Sequence, residues 1–246
     1  MRNWKLILSY DGSRYRGWQR LPGADHTIQG KLEDVLERIL GEPVQVVGSG
    51  RTDAGAHAMG QVANFHCHSP MTGSEILSQL RKHLPEDIGI LSCEEVDIRF
   101  HARLNAQAKT YVYRVWNSAL PCVFQRKYVY SMSAPLDLAA MERAASALTG
   151  THDFRSFCSN RRFQKSTVRT IYSLTLAREG HELLFTVRGN GFLYNMVRIL
   201  VGTLLEVGTH QRSPEAMSDL IALGNRSVAG YTVPAKGLCL REVEYS

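Results

Sequence analysis

The sequence predicts an α+β protein made of two α/β halves, each setting helices against a mainly antiparallel sheet. Two observations carry this. Strand and helix patterns alternate as β-α-β-β-α-β in the first half, the ferredoxin-like order, and return more loosely in the second. The 246 residues are 44% hydrophobic and 21% charged, an ordinary globular composition and enough chain for one large or two ordinary domains.

In the first half, Trp4–Tyr10 reads as a strand, Ile28–Leu40 as a helix, and Pro43–Gly48 and Gln61–His68 as strands. A capping box, Thr72-Gly73-Ser74-Glu75, opens a helix over Ser74–Leu84, and Ile88–Phe100 closes the half as a strand. The boundary is expected near Leu104–Ala106, giving domains 1–104 and 105–246. In the second half, strands are expected at Lys109–Trp116, Lys127–Tyr130, Val168–Ala177, Glu182–Arg188 and Leu238–Tyr245. Helices are expected at Leu138–Leu148, Phe192–Val207 and Pro214–Leu223, the last begun by Ser213 with a proline whose missing N–H is not needed there.

A formal charge of +6 is compatible with a polyanionic partner. The basic residues are also grouped. Arg14, Arg16 and Arg20 interleave with Tyr15 and Trp18, while Arg155, Arg161, Arg162, Lys165 and Arg169 run with Phe157 and Phe163, uninterrupted by any acid. Cations mixed with aromatics suit phosphate neutralisation and base stacking. The five cysteines are odd in number and lack a Cys-x-x-Cys pair, so neither a disulfide framework nor a cysteine zinc site is supported. His66 and His68 share a strand face without further ligands at metal spacing and read as strand surface, so no metal is expected. Met1-Arg2-Asn3-Trp4-Lys5 leads into a strand rather than an apolar signal, and the longest apolar segment, Phe192–Val207, holds Asn195, Arg198 and Glu206. No membrane association and a cytoplasmic address are the expectations.

The richest segment is Gly50-Arg51-Thr52-Asp53-Ala54-Gly55-Ala56-His57-Ala58. It places Asp53 on a loop between two strands, among residues so small that a flat ligand can approach the backbone. A lone aspartate in such a loop ordinarily caps its own turn. Arg198 adds a second charge in an unusual place, inside an apolar helix, where it must snorkel to water or pair with an anion. Asp53 is the natural partner, and the guanidinium would favour its ionised form.

GRTDAGAHA closely resembles the signature of the tRNA pseudouridine synthase A family, and the likeness runs along the chain. Tyr10-Asp11-Gly12 with Gly17-Trp18-Gln19, then Thr27-Ile28-Gln29-Gly30, are similar to the family's opening and first helix. Lys109-Thr110-Tyr111-Val112-Tyr113 resembles its central strand, and Gly150-Thr151-His152-Asp153-Phe154 its GxHDF loop. Phe192-Leu193-Tyr194-Asn195-Met196-Val197-Arg198 resembles its FLxxMVR helix, and Pro234-Ala235-Lys236-Gly237-Leu238 its PAxGL segment. Ala56 stands where the family usually has valine, and Arg20 where a second glutamine is common.

The resemblance implies that Asp53 is the catalytic nucleophile and that Arg198 pairs with it. It implies that Tyr111 packs on the target uracil and is a candidate for removing the C5 proton. It also implies one extended sheet with a central active cleft, and a homodimer in which each tRNA contacts both subunits. The substrates implied are uridines 38, 39 and 40 of the tRNA anticodon stem-loop. Arg51 matches the residue that flips the base, and a structural salt bridge is its other reading. Arg14, Arg16, Arg161, Arg162 and Lys165 are candidate RNA contacts; Lys109 reads as an exposed strand end or a phosphate contact. Uridine and pseudouridine have the same oxidation state, so no cofactor is required.

Gly48-Ser49-Gly50 suggests a dinucleotide fingerprint, which would need glycine where Asp53 stands. A P-loop fails for want of Gly-Lys-Ser/Thr. A zinc deaminase fails because Pro121-Cys122 is followed by Gln125 at the second cysteine position. The alternative from another class is a tRNA-binding or folding module, an RNA chaperone whose isomerisation is incidental or narrower.

Overall fold

The computed structural model describes residues 1–21, 23, 26–160 and 165–245, which divide into two compact units. The first comprises Met1–Gln107 and the chain from Cys239 onward; the second is Ala108–Leu238. The α+β class read from the sequence is the one the chain adopts.

In the first unit the order is β1 (Arg2–Tyr10), α1 (Ile28–Leu40), β2 (Val47–Gly48), β3 (His57–Cys67), α2 (Gly73–His83) and β4 (Ile88–Val96). Strand β1 lies between β3 and β4, antiparallel to both, with Leu6 opposite Ala63 on one side and Cys93 on the other. Trp4, Leu6 and Leu8 alternate into a core completed by Phe65 and by the apolar stripes of the helices, Ile28, Leu32 and Leu36 from α1 and Ile76 and Leu80 from α2. Helix α1 has the bounds its periodicity predicts: Thr27 accepts a hydrogen bond from the Gly30 N–H at one end, and Gly41 at φ 74° closes the other. The Thr72–Glu75 capping box also forms.

Two first-unit expectations are corrected. Only Val47–Gly48 of the predicted Pro43–Gly48 strand joins the ladder, because side chains of α1 take the backbone before it. Glu33 Oε1 accepts from the Val46 N–H at 3.0 Å, and Gln29 Nε2 donates to the Val46 carbonyl at 3.1 Å. Strand β3 begins at His57, four residues early, because its start pairs in parallel with the C-terminal strand β10 (Leu238–Glu244), Cys239 facing His57 and Leu240 facing Ala58. The same pairing carries the chain end into the first unit, unlike the division expected near Leu104–Ala106.

The second unit holds β5 (Ala108–Asn117), β6 (Tyr130–Met132), α3 (Leu138–Ala147), β7 (Gly150–Asp153), β8 (Val168–Glu179), β9 (Glu182–Gly189), α4 (Met196–Gly208) and α5 (Ala216–Leu223). Its sheet runs β6-β5-β9-β8-β7, with β5, β9, β8 and β7 successively antiparallel and β6 parallel to β5. Strand β7 falls where the sequence suggests a loop. Asp153 at its end accepts from the Arg155 N–H and from the Thr167 hydroxyl, and the His152 and Phe154 rings meet edge to face at 5.7 Å. That motif is architectural. The predicted strand at Lys127–Tyr130 is displaced to Tyr130–Met132, and α4 starts four residues later than its apolar pattern suggests.

No helix among the described residues is long and apolar enough to cross a membrane. None of the five cysteines, all among the described residues, is in a disulfide.

Candidate active site

Asp53 sits half-buried in a tight turn of the first unit. Its carbonyl accepts from the Ala56 N–H at 3.1 Å, and Gly55 at φ 80° supplies the left-handed residue such a turn requires. The segment after β1 clamps this turn: Trp18 N–H donates to the Thr52 carbonyl at 3.1 Å, and Gly55 N–H donates to the Tyr15 carbonyl at 3.3 Å. The approach is closer than any side chain would allow. A Cβ on Gly12 would lie 1.9 Å from the Ala56 carbonyl oxygen, and one on Gly17 2.7 Å from that of Thr52. The glycines of Tyr-Asp-Gly and Gly-Trp-Gln are thus parts of the Asp53 loop.

Buried polar groups hold the other side. Tyr10 Oη and Thr52 Oγ1 are 2.8 Å apart, and Gln61 Nε2 donates to the Gly50 carbonyl at 3.0 Å while its Oε1 accepts from Ser49 Oγ at 2.7 Å. Burial pushes the Tyr10 phenol well above its ordinary range, so it remains a neutral peg under the loop. His57 is buried next door, with Nδ1 accepting from the Gly12 N–H at 3.1 Å and lying 3.2 Å from Asp11.

Arg51 is exposed and forms no ion pair among the described residues. Arg14 and Arg16, beside the residues that clamp the turn, are also exposed, Arg14 with a loose contact to Asp87 at 3.8 Å. Arg20 behaves differently. Its guanidinium lies 2.9 Å from Asp34 and 3.4 Å from Glu33, so it ties the loop to α1.

In the second unit, Tyr111 is buried on β5 opposite Val187, its ring edge-on to Phe192 with centroids 5.2 Å apart. Tyr113, on the same face, is fully buried; its hydroxyl donates to the Pro234 carbonyl at 2.8 Å, and a Cβ on Gly237 would collide with its ring. The PAxGL segment therefore shapes the bed on which the Tyr111 strand lies. Arg198 is half-buried on the first turn of α4. Its Nε donates to the Val233 carbonyl at 2.7 Å and one terminal nitrogen to Asn195 Oδ1 at 2.8 Å. Lys165 is exposed; Arg161 and Arg162 lie outside the described residues.

Phe192 and Asn195 gain roles that the sequence analysis did not assign. The signal was present in the FLxxMVR motif, but an apolar helical period hides the turn that precedes α4.

A family profile described as tRNA pseudouridine synthase matches residues 6–105 and 144–246, most of the chain. The chain belongs to the tRNA pseudouridine synthase family. It is thus an isomerase of the class that acts on tRNA. Two relatives agree over their full lengths. The tRNA pseudouridine synthase A of Brevibacillus brevis is 46% identical over 245 residues, and tRNA pseudouridine synthase A 2 of Bacillus cereus (strain ZK / E33L) is 43% identical over 245, each alignment covering 100% of both chains. A solved Cbf5-Nop10-Gar1 complex aligns with 82% of this chain and 45% of the other at 14% identity and a TM-score of 0.36, too distant to add to the argument. In this synthase the Tyr10–Gly12, Gly17–Gln19 and Gly50–Ala58 segments build the Asp53 turn, and Phe192–Arg198 forms the start of the Arg198 helix.

Proposed function

We propose that the chain isomerises uridine to pseudouridine at positions 38, 39 and 40 of the tRNA anticodon stem-loop, with Asp53 as nucleophile. The observation that carries this is the construction of the Asp53 turn. Two glycines, a buried tyrosine and a buried glutamine converge to fix one half-buried aspartate in a loop otherwise lined by small residues. Such investment in one carboxylate suits a reactive group held still for its substrate.

The reaction breaks the N1–C1′ bond, turns the uracil and forms a C5–C1′ bond. The C5 proton leaves and N1 ends protonated, so atoms and electrons balance without a redox partner. Asp53 acts by adding to C6 of the base or by working at the ribose through a glycal. In either case the detached uracil must be kept from escaping, and Tyr111, braced by Phe192, offers a flat apolar wall for it. Arg198 is the partner this reading assigns to Asp53.

The target base must first leave its stack, at a cost of a few kcal/mol. Arg51, exposed two residues before Asp53, is the residue this reading assigns to fill the gap. Arg14, Arg16 and Lys165 offer exposed charge to the phosphates, and Arg161 and Arg162 extend that set by sequence. The enzyme works in the cytoplasm as a homodimer, each tRNA touching both subunits.

The test uses unmodified tRNA transcripts with uridines throughout, incubated with the protein and a chelator, followed by mapping of pseudouridine. Modification confined to 38, 39 and 40 is expected. Pseudouridine elsewhere would refute the site assignment, and tight tRNA binding with none formed would favour an RNA-folding module.

A further inference from the structure

The chain enters α4 through Asn195, which adopts the left-handed conformation at φ 61°, ψ 8°. An asparagine in that position usually turns its side chain onto the free N–H groups of the first turn. Here it makes no such capping bond. The amide oxygen instead accepts from a terminal nitrogen of Arg198 at 2.8 Å, while the main-chain carbonyl of Asn195 accepts the Ile199 N–H at 3.0 Å. A second brace comes from the segment leading to β10. Tyr231 lies so close to α4 that a Cβ on Gly202 would sit 1.9 Å from its carbonyl oxygen, and Gly230 N–H donates to Thr203 Oγ1 at 3.0 Å. That packing delivers the Val233 carbonyl to Arg198 Nε at 2.7 Å.

We infer that Asn195 is a positioning residue for catalysis: it and the Val233 carbonyl hold the Arg198 guanidinium by two nitrogens and so fix the orientation of its plane. The inference rests on the reading of Arg198 as the partner of Asp53. Arginine loses much rotamer freedom when it forms a pair, and a fork fixed in advance loses less at the moment of reaction. Asn195 suits the task because asparagine tolerates a left-handed backbone while presenting an acceptor one turn ahead of the arginine.

Two roles for Asn195, backbone and amide, are separable by substitution. Asn195→Gly keeps the left-handed backbone and removes only the acceptor; Asn195→Asp keeps an acceptor. With tRNA as substrate, Asn195→Gly is expected to lower kcat about 10- to 100-fold, the range for losing a hydrogen bond to a charged group, at unchanged KM and melting temperature. Asn195→Asp is expected to lose less of kcat than Asn195→Gly. Wild-type kcat in Asn195→Gly, with Asn195→Ala impaired and less stable, would overturn the inference and leave Asn195 a backbone device. Arg198→Lys is run alongside, since it keeps the charge and loses the fork. If it turns over like wild type, the reading of Arg198 fails; if it is crippled while Asn195→Gly is normal, only the positioning role fails.

Discussion

Replacing Arg198 by methionine is expected to lower kcat about 100- to 1,000-fold while leaving tRNA binding nearly intact. The rest of α4 is apolar, with Ile199, Leu200, Val201, Leu204 and Leu205 fully buried, so methionine fits the volume and packing gives no reason to lose the fold. On the proposed reading, what disappears is the partner of Asp53, along with the bonds from Arg198 to Val233 and Asn195. Breaking a fully buried ion pair costs on the order of 3–5 kcal/mol, an upper bound for these half-buried groups, and each 1.36 kcal/mol is tenfold in rate. Single-turnover release of the C5 hydrogen, measured beside filter binding of the same tRNA, separates the two effects. A methionine variant that reacts at the wild-type rate would show that the charge of Arg198 plays no part in the chemistry.

The second large effect is expected at a residue with no side chain of its own. Gly12→Ala places a methyl 1.9 Å from the Ala56 carbonyl oxygen, and both partners are backbone, so neither can swing aside. Relief requires moving the Asp53–Ala56 turn or the segment that clamps it. Overpacking of this kind costs roughly 1–3 kcal/mol, which lowers the melting temperature of a chain this size by about 3–10 °C. Misplacing Asp53 by about an ångström is expected to reduce kcat by a further 100-fold or so at temperatures where the variant is folded. Calorimetry and kinetics on the one variant check both parts. A Gly12→Ala protein with unaltered stability and rate would mean that the clamp has slack that the geometry does not suggest.

These two residues differ in how they could be read from the chain. Arg198 stood out, because a guanidinium inside an apolar run must either snorkel to water or pair with an anion. Gly12 did not. Tyr-Asp-Gly matched a family pattern, yet the reason for its glycine is contact with a carbonyl more than forty residues away, which no local propensity records. The same holds for β10. Its strand character is local and was legible, but its parallel pairing with the start of β3 joins residues from opposite ends of the sequence. Strand β2 was overestimated for a related reason: Pro43–Val46 has strand-like residues, and Glu33 and Gln29 capture the Val46 backbone with side chains instead.

Helix starts tell the same story on a smaller scale. Thr27 and the Thr72–Glu75 box are chemical signals of the first turn, and α1 and α2 begin where they say, within a residue. The residues Phe192–Asn195 carry no such signal. Their apolar spacing continues that of α4, so the left-handed backbone of Asn195 and the contact of Phe192 with Tyr111 were invisible until the fold was in hand. The candidate site residues could be named from the sequence; the groups packed against them, Asn195 and Phe192 among them, could not.

The central claim is that Asp53 is the nucleophile. The measurement that tests it most directly is release of tritium from C5 of uridine in unmodified tRNA, comparing wild type with Asp53→Asn in chelator and without added cofactor. Asparagine preserves the volume and the backbone turn, so the variant is expected to fold and to bind tRNA. Release by the wild type, with none above background from Asp53→Asn at equal RNA occupancy, is the predicted result. Release that survives in Asp53→Asn would contradict the account and place the nucleophile elsewhere.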